Sequence, residues 1–225
     1  MTDKKNIPLE PEANEPLHRV VGAWEQYGKQ ILIGVAVVVV VAGGIFGYKY
    51  LVSDPKEKEA NESIFQAEAY FRADSVKLAL EGDGLKPGFL KIISKYSGTK
   101  AANMAHFYAG SCYLKLGDFA NAAKQLQEFS TSEPLIAARA KALQADALSE
   151  SGKKEEAAKL YKEAGTLFDK DEANSPQYLF RAGYLYESMG KTQDAIEMYK
   201  LIKEKYPQFR DFDIDKYLGR LGSVE

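Results

Sequence analysis

The chain has 225 residues, 45% of them apolar and 28% charged, which is the mixture of a folded protein of one or two domains rather than of a disordered one. Its net charge is −2, which argues against a nucleic-acid partner. One cysteine (Cys112) and two histidines (His18 and His106) leave no internal disulfide, no cysteine-rich metal site and little basis for a Ser/His/Asp triad. Mean hydropathy is −0.35, a value that averages two different kinds of sequence.

Residues 1–30 form a polar tail. The first fifteen carry Pro8 and Pro11, with Pro16 next, and the acids Asp3, Glu10, Glu12 and Glu15, a composition that predicts disorder. From Leu17 the apolar residues Val20, Val21, Trp24 and Tyr27 recur at three- and four-residue spacing. We read 17–29 as an amphipathic segment lying on a membrane surface, with a lead-in turn of the following helix as the alternative.

Residues 31–52 predict a transmembrane signal anchor. Ile31 to Gly47 carries no charge, and the run extends through Tyr48, Lys49, Tyr50, Leu51 and Val52. At 1.5 Å per residue such a helix is about 33 Å long, close to a hydrocarbon core. Tyr48 and Tyr50 suit the interface, and the Lys49 stem can snorkel to the headgroups. No small-x-small cleavage site follows, so the segment is expected to stay attached. Gly43 and Gly47 make a small-xxx-small pair suited to a helix contact within the bilayer.

Residues 53–99 predict a degenerate helical pair. Asp54-Pro55 can start a long helix over 57–81, the glycines of 82–84 break it, and a second helix covers 88–96. The stretch 82–88 contains glycines and a lysine but lacks the spacing of a phosphate loop.

Residues 100–210 repeat. Gly117, Gly152 and Gly190 are turn glycines spaced 35 and 38 residues apart. Each has a small residue seven before it (Gly110, Ala145, Gly183), an alanine five after it (Ala122, Ala157, Ala195) and a large residue nine after it (Leu126, Tyr161, Tyr199). The small residues allow two helices to approach closely, and the glycines permit the left-handed turn between them. Thr99 and Ser175 are expected to cap helices, and Pro134 and Pro207 to follow them. Residues 211–225 contain DIDKYLGRL (213–221), a short amphipathic helix that can cap the stack.

This pattern resembles the tetratricopeptide repeat, a helix-turn-helix unit of about 34 residues. The expected fold is therefore all-α: one N-terminal transmembrane helix, then a tetratricopeptide-like α-solenoid. The resemblance implies a concave groove lined by the first helix of each repeat. Its lining positions here are Met104, Phe107, Ser111, Leu114 and Lys115, then Arg139, Ala142, Asp146 and Ser149, then Gln177, Phe180, Arg181 and Tyr184. Of these, Met104, Phe107, Ser111, Arg139, Asp146, Phe180, Arg181 and Tyr184 are the candidate partner-binding residues. No catalytic, cofactor or metal residues are indicated. His106 and Cys112 are read as packed core groups.

The layout as a whole, a short tail, one span and then repeats, resembles the YfgM-like family of ancillary SecYEG translocon subunits. The matching residues are Gly28-Lys29, Gly34-Val35, Tyr48-Lys49-Tyr50, and the stretches 79–84, 88–96 and 107–118, in the version found in Bacteroidetes-type bacteria. The resemblance implies a single-pass bacterial inner-membrane protein, tail in the cytoplasm and repeats in the periplasm. It also implies protein partners: the SecYEG translocon, a PpiD-like membrane-anchored chaperone and unfolded secreted chains, with no small-molecule substrate. A general envelope scaffold for another complex is the alternative.

Overall fold

The computed structural model describes residues 15–223, with the backbone alone over 15–26; the tail expected to be disordered therefore lies outside the described residues. The chain divides into two units, residues 1–55 and 56–225. Among the described residues all regular structure is helical, apart from one isolated bridge between Gly82 and Pro87.

In the first unit, α1 runs without a break from Glu15 to Tyr48. Residues 17–29 are thus the lead-in of the same helix and not a separate surface helix. Gly22 and Gly28 weaken a helix without ending it, and no proline follows Pro16 until Pro55. Over residues 31–52 the large apolar side chains are exposed, and the helix is long and apolar enough to cross a membrane. A π turn, Lys49–Ser53, follows α1, and Asp54 is itself helical. The Asp54-Pro55 pair therefore caps no new helix. Pro55 lacks the N–H that would bond residue 51 and its ring crowds that carbonyl, and a widened turn at this point accommodates both.

In the second unit α2 spans Asp54–Arg72. The long helix expected over 57–81 is broken: Asp74 adopts φ 56, and the Ser75 N–H reaches back to the Tyr70 carbonyl at 2.9 Å. That is a Schellman ending with aspartate where glycine is usual. Lys115 holds the Asp74 carboxylate at 2.6 Å. The short helices α3 (Val76–Glu81) and α4 (Phe89–Lys95) follow. Between them Asp83 accepts the Leu85 and Lys86 N–H groups and the Tyr70 hydroxyl, which holds its carboxyl down at about 2. Those bonds make 82–88 a structural turn.

The repeats are three helix pairs: α5 (Lys100–Leu116) with α6 (Phe119–Glu128), α7 (Pro134–Glu150) with α8 (Lys154–Leu167), and α9 (Ser175–Ser188) with α10 (Thr192–Lys205). Helix α11 (Ile214–Arg220) ends the stack. Thr99 caps α5 by accepting the Ala102 N–H at 3.0 Å, and the Glu57 carboxylate takes the Lys100 and Ala101 N–H groups from 43 and 44 residues away. Asp118 and Asp213 cap α6 and α11 in the same way. Pro134 opens α7 at its first turn. Ser175 does not cap α9. Asp171 accepts the Ala173 and Asn174 N–H groups, while the buried Ser175 hydroxyl donates to the Phe168 carbonyl at 2.9 Å. The three extra residues of this loop supply Asp171 and leave Ser175 inside the first turn.

Each pair closes at its small residues. A Cβ on Gly110 would lie 2.5 Å from Leu126 Cγ, and one on Gly183 would lie 2.7 Å from Tyr199 Cε1. Gly117, Gly152 and Gly190 have φ 76, 80 and 72, so they form the left-handed turns. Two apolar clusters result. One is built from Ala60 to Cys112, the other from Ala142 to Leu218.

Tyr199 is fully buried and cannot move aside. Gly183→Ala is therefore expected to destabilise the repeats by about 1–3 kcal/mol through overpacking. Gly117→Ala, where the added Cβ meets nothing within 4 Å, is expected to cost about 1–2 kcal/mol from backbone strain alone. Thermal melts followed by circular dichroism on the detergent-solubilised chain separate the two.

Candidate functional site

The positions expected to line a groove belong to α5, α7 and α9, and the structure sorts them into three kinds of environment. Met104 is half-buried against the first apolar cluster. Phe107 is half-buried, its ring 5.3 Å from Phe129 and 5.8 Å from Tyr108. The Ser111 hydroxyl donates to the Phe107 carbonyl one turn earlier at 2.9 Å, so its hydrogen goes to its own helix. Lys115 is exposed and paired with Asp74.

Arg139 is exposed, and Ala142 below it is buried. Asp146 and Arg181 come together: the guanidinium Nη1 donates to Asp146 Oδ1 at 2.6 Å. The Tyr161 hydroxyl of α8 donates to the same carboxylate oxygen, and Arg181 lies over the Tyr161 ring at 5.7 Å. Burial and the adjacent carboxylate both raise the Tyr161 phenol above its ordinary range. The arrangement recurs one repeat later. Tyr199 of α10 donates to Glu187 at 3.2 Å, and Arg220 of α11 bridges the same carboxylate at 2.7 and 2.8 Å.

Each unit of this ladder joins a phenol on a second helix, an acid on the first helix of the same repeat and an arginine on the next helix. The repeat spacing marks Tyr161 and Tyr199 only as large residues. The usable signal was the phenol itself, because a buried Tyr hydroxyl needs a partner and Leu126 at the equivalent position of the first repeat does not.

Phe180 is not an open groove position. It is 8% exposed, stacked on Phe212 at 3.8 Å and edge-on to Tyr217 at 4.9 Å. Gln177 beside it donates to Asp211 at 3.3 Å. Tyr184 is 55% exposed and presents its ring on this face. In the first unit, Gly43 and Gly47 have nothing within 4 Å of an added Cβ, and their helix face is open.

The groups considered for chemistry are engaged in packing. His106 Nδ1 lies 2.7 Å from Gln125 Oε1. Cys112 is fully buried, and burial pushes its thiol from near 9.0 up to about 12. Among the described residues, no group of three or more His, Cys, Asp or Glu side chains could hold a metal ion.

A family profile described as a tetratricopeptide repeat-like domain matches residues 23–210, from the end of the lead-in through the third helix pair. The chain belongs to the tetratricopeptide repeat-like family. No curated protein matches it. A domain of this family points to a role in protein–protein interaction. The profile covers the apolar helix as well as the repeats.

Removing the Asp146 carboxylate leaves the buried Tyr161 hydroxyl without its acceptor. Asp146→Ala is expected to lower stability by about 1–3 kcal/mol in denaturant unfolding, with Asp146→Asn recovering part of it. Cys112 is expected to resist maleimide at pH 8 in the native chain and to react fully once unfolded. Its raised native pKa keeps its contribution to stability intact below pH about 9 and removes it as the pH rises toward 12, because the unfolded thiol loses its proton first.

Proposed function

We propose that this protein is a membrane-anchored, non-enzymatic partner of the SecYEG translocon. It spans the inner membrane once, with the tail in the cytoplasm and the repeats in the periplasm. There the repeats hold a PpiD-like chaperone or a secreted chain as it emerges. The observation that carries this reading is the continuity of one exposed apolar helix with a tetratricopeptide-like solenoid inside a single family match, residues 23–210. An anchor of this kind raises the local concentration of a binding surface at the membrane, so modest affinity for a passing chain suffices. The concave face suits such a role: Tyr184, Phe107 and Met104 offer aromatic and soft apolar contact, and the Asp146–Arg181 pair offers polar contact.

The test is native-level co-purification after mild detergent extraction. Translocon subunits and a membrane-anchored chaperone are expected in the eluate, and their retention is expected to fall severalfold in Tyr184→Ala. Recovery of a different envelope complex in their place would make the protein a general scaffold instead. A reporter fused after Glu225 is expected to be active only in its periplasmic form. Activity of the cytoplasmic form would reverse the orientation.

A further inference from the structure

Between α10 and α11 the chain passes Gln177 and Phe180 of the third repeat as a strap, residues 206–213. Its two ends are fixed, with Tyr206 buried at 4% exposure and Asp213 capping α11. Its middle meets the apolar cluster through the half-buried Phe209. Arg210 spends its guanidinium on the strap's own carbonyls, those of Pro207 at 2.5 Å and Phe209 at 3.0 Å. Two clefts of about 470 and 430 Å³ flank the strap, lined on one side by Ile202 and Lys203 and on the other by Ala173 and Gln177.

Besides Phe209, two strap residues meet the expected lining positions of the third repeat. Phe212 lies flat on Phe180, with centroids 3.8 Å apart and planes 6° apart, and Asp211 accepts from Gln177 at 3.3 Å. Both Gln177 and Phe180 are lining positions of the third repeat. A ring that only completed the core would be as buried as Phe180, at 8%, yet Phe212 keeps 37% of its surface in solvent. Its outer face is open and the space on either side of the strap is unfilled.

We propose that residues 207–212 act as an internal ligand of the concave face, and that the groove accepts an extended polypeptide bearing an aromatic residue. That residue takes the place of Phe212 over Phe180, and a hydrogen-bond acceptor just before it meets Gln177. The proposal rests on the reading of the concave face as a polypeptide-binding surface. A segment tethered at both ends by so few residues is present at millimolar effective concentration, so a weak contact holds it in place. An incoming chain then meets a site that is only fractionally open, and its apparent affinity is reduced by that fraction.

The test uses the full detergent-solubilised chain and a fluorescein-labelled octapeptide copying residues 206–213, added in trans and followed by fluorescence anisotropy. The peptide is expected to bind Phe212→Ala at least about tenfold more tightly than the wild type. The same peptide with alanine at the position of Phe212 is expected to bind neither protein. Phe212→Leu, which keeps the apolar volume but not the stacking plane, serves as the second variant and is expected to gain affinity as well. Equal binding to wild type and variants, or binding to none of them, overturns the proposal. A strap that merely braces α11 predicts a lowered melting temperature in Phe212→Ala with no gain in peptide affinity. Co-purification separates this inference from the reading beneath it. Cellular partners retained by the wild type with no gain for peptide in Phe212→Ala would sink the strap and leave the groove standing.

Discussion

The close approach of the two helices of a repeat, at a residue with almost no side chain, governs what is built on top of it. At Gly110 and Gly183 there is no room for even a methyl group, and Ala145 is fully buried at the equivalent position. Helices that pack this tightly must be joined by a short turn, which Gly117, Gly152 and Gly190 supply in a left-handed conformation. They also need one large side chain to fill the space beside the contact, supplied by Leu126, Tyr161 and Tyr199. The spacing of the three features fixes the pair geometry. Stacking the pairs then buries surface that no single pair could cover.

The choice of filler carries a second consequence. Leucine fills space and asks for nothing, while tyrosine brings a hydroxyl into the interior. In the second and third repeats that hydroxyl finds a carboxylate on the partner helix, and the carboxylate finds an arginine on the next helix. Packing within a repeat is thereby tied to the contact between repeats. The first repeat has no such link. The two apolar clusters are divided on either side of the α6–α7 region, where no Tyr–acid–Arg ladder spans the gap. The salt bridges Lys141–Glu163, Lys162–Glu197 and Lys191–Glu155 are exposed, and each adds little on its own.

The solenoid ends in a device of its own. Helix α11 covers the third repeat as a cap, and the strap before it passes Gln177 and Phe180. At the third repeat Phe212 thus covers Phe180, as Phe129 packs on Phe107 in the first.

Composition and periodicity by themselves determined the all-helical class, the apolar helix near residue 31, the three repeats and their turn glycines. These are local properties: a run of uncharged residues and a fixed spacing of small and large side chains carry their meaning in one dimension. Only the tertiary structure decided the rest. It ended α2 at Arg72, with Asp74 in the left-handed conformation and its carboxylate meeting Lys115, 41 residues away. It joined 17–29 to the span because nothing nearby breaks the helix. It took Phe180 out of the open groove because Phe212, 32 residues later, folds back onto it. It linked Tyr161 to Asp146 and Arg181, three residues on three helices. The physical reason is common to all four. Each depends on which distant group a side chain meets or fails to meet, and that is set by how the helices stack and not by the order in which they are read.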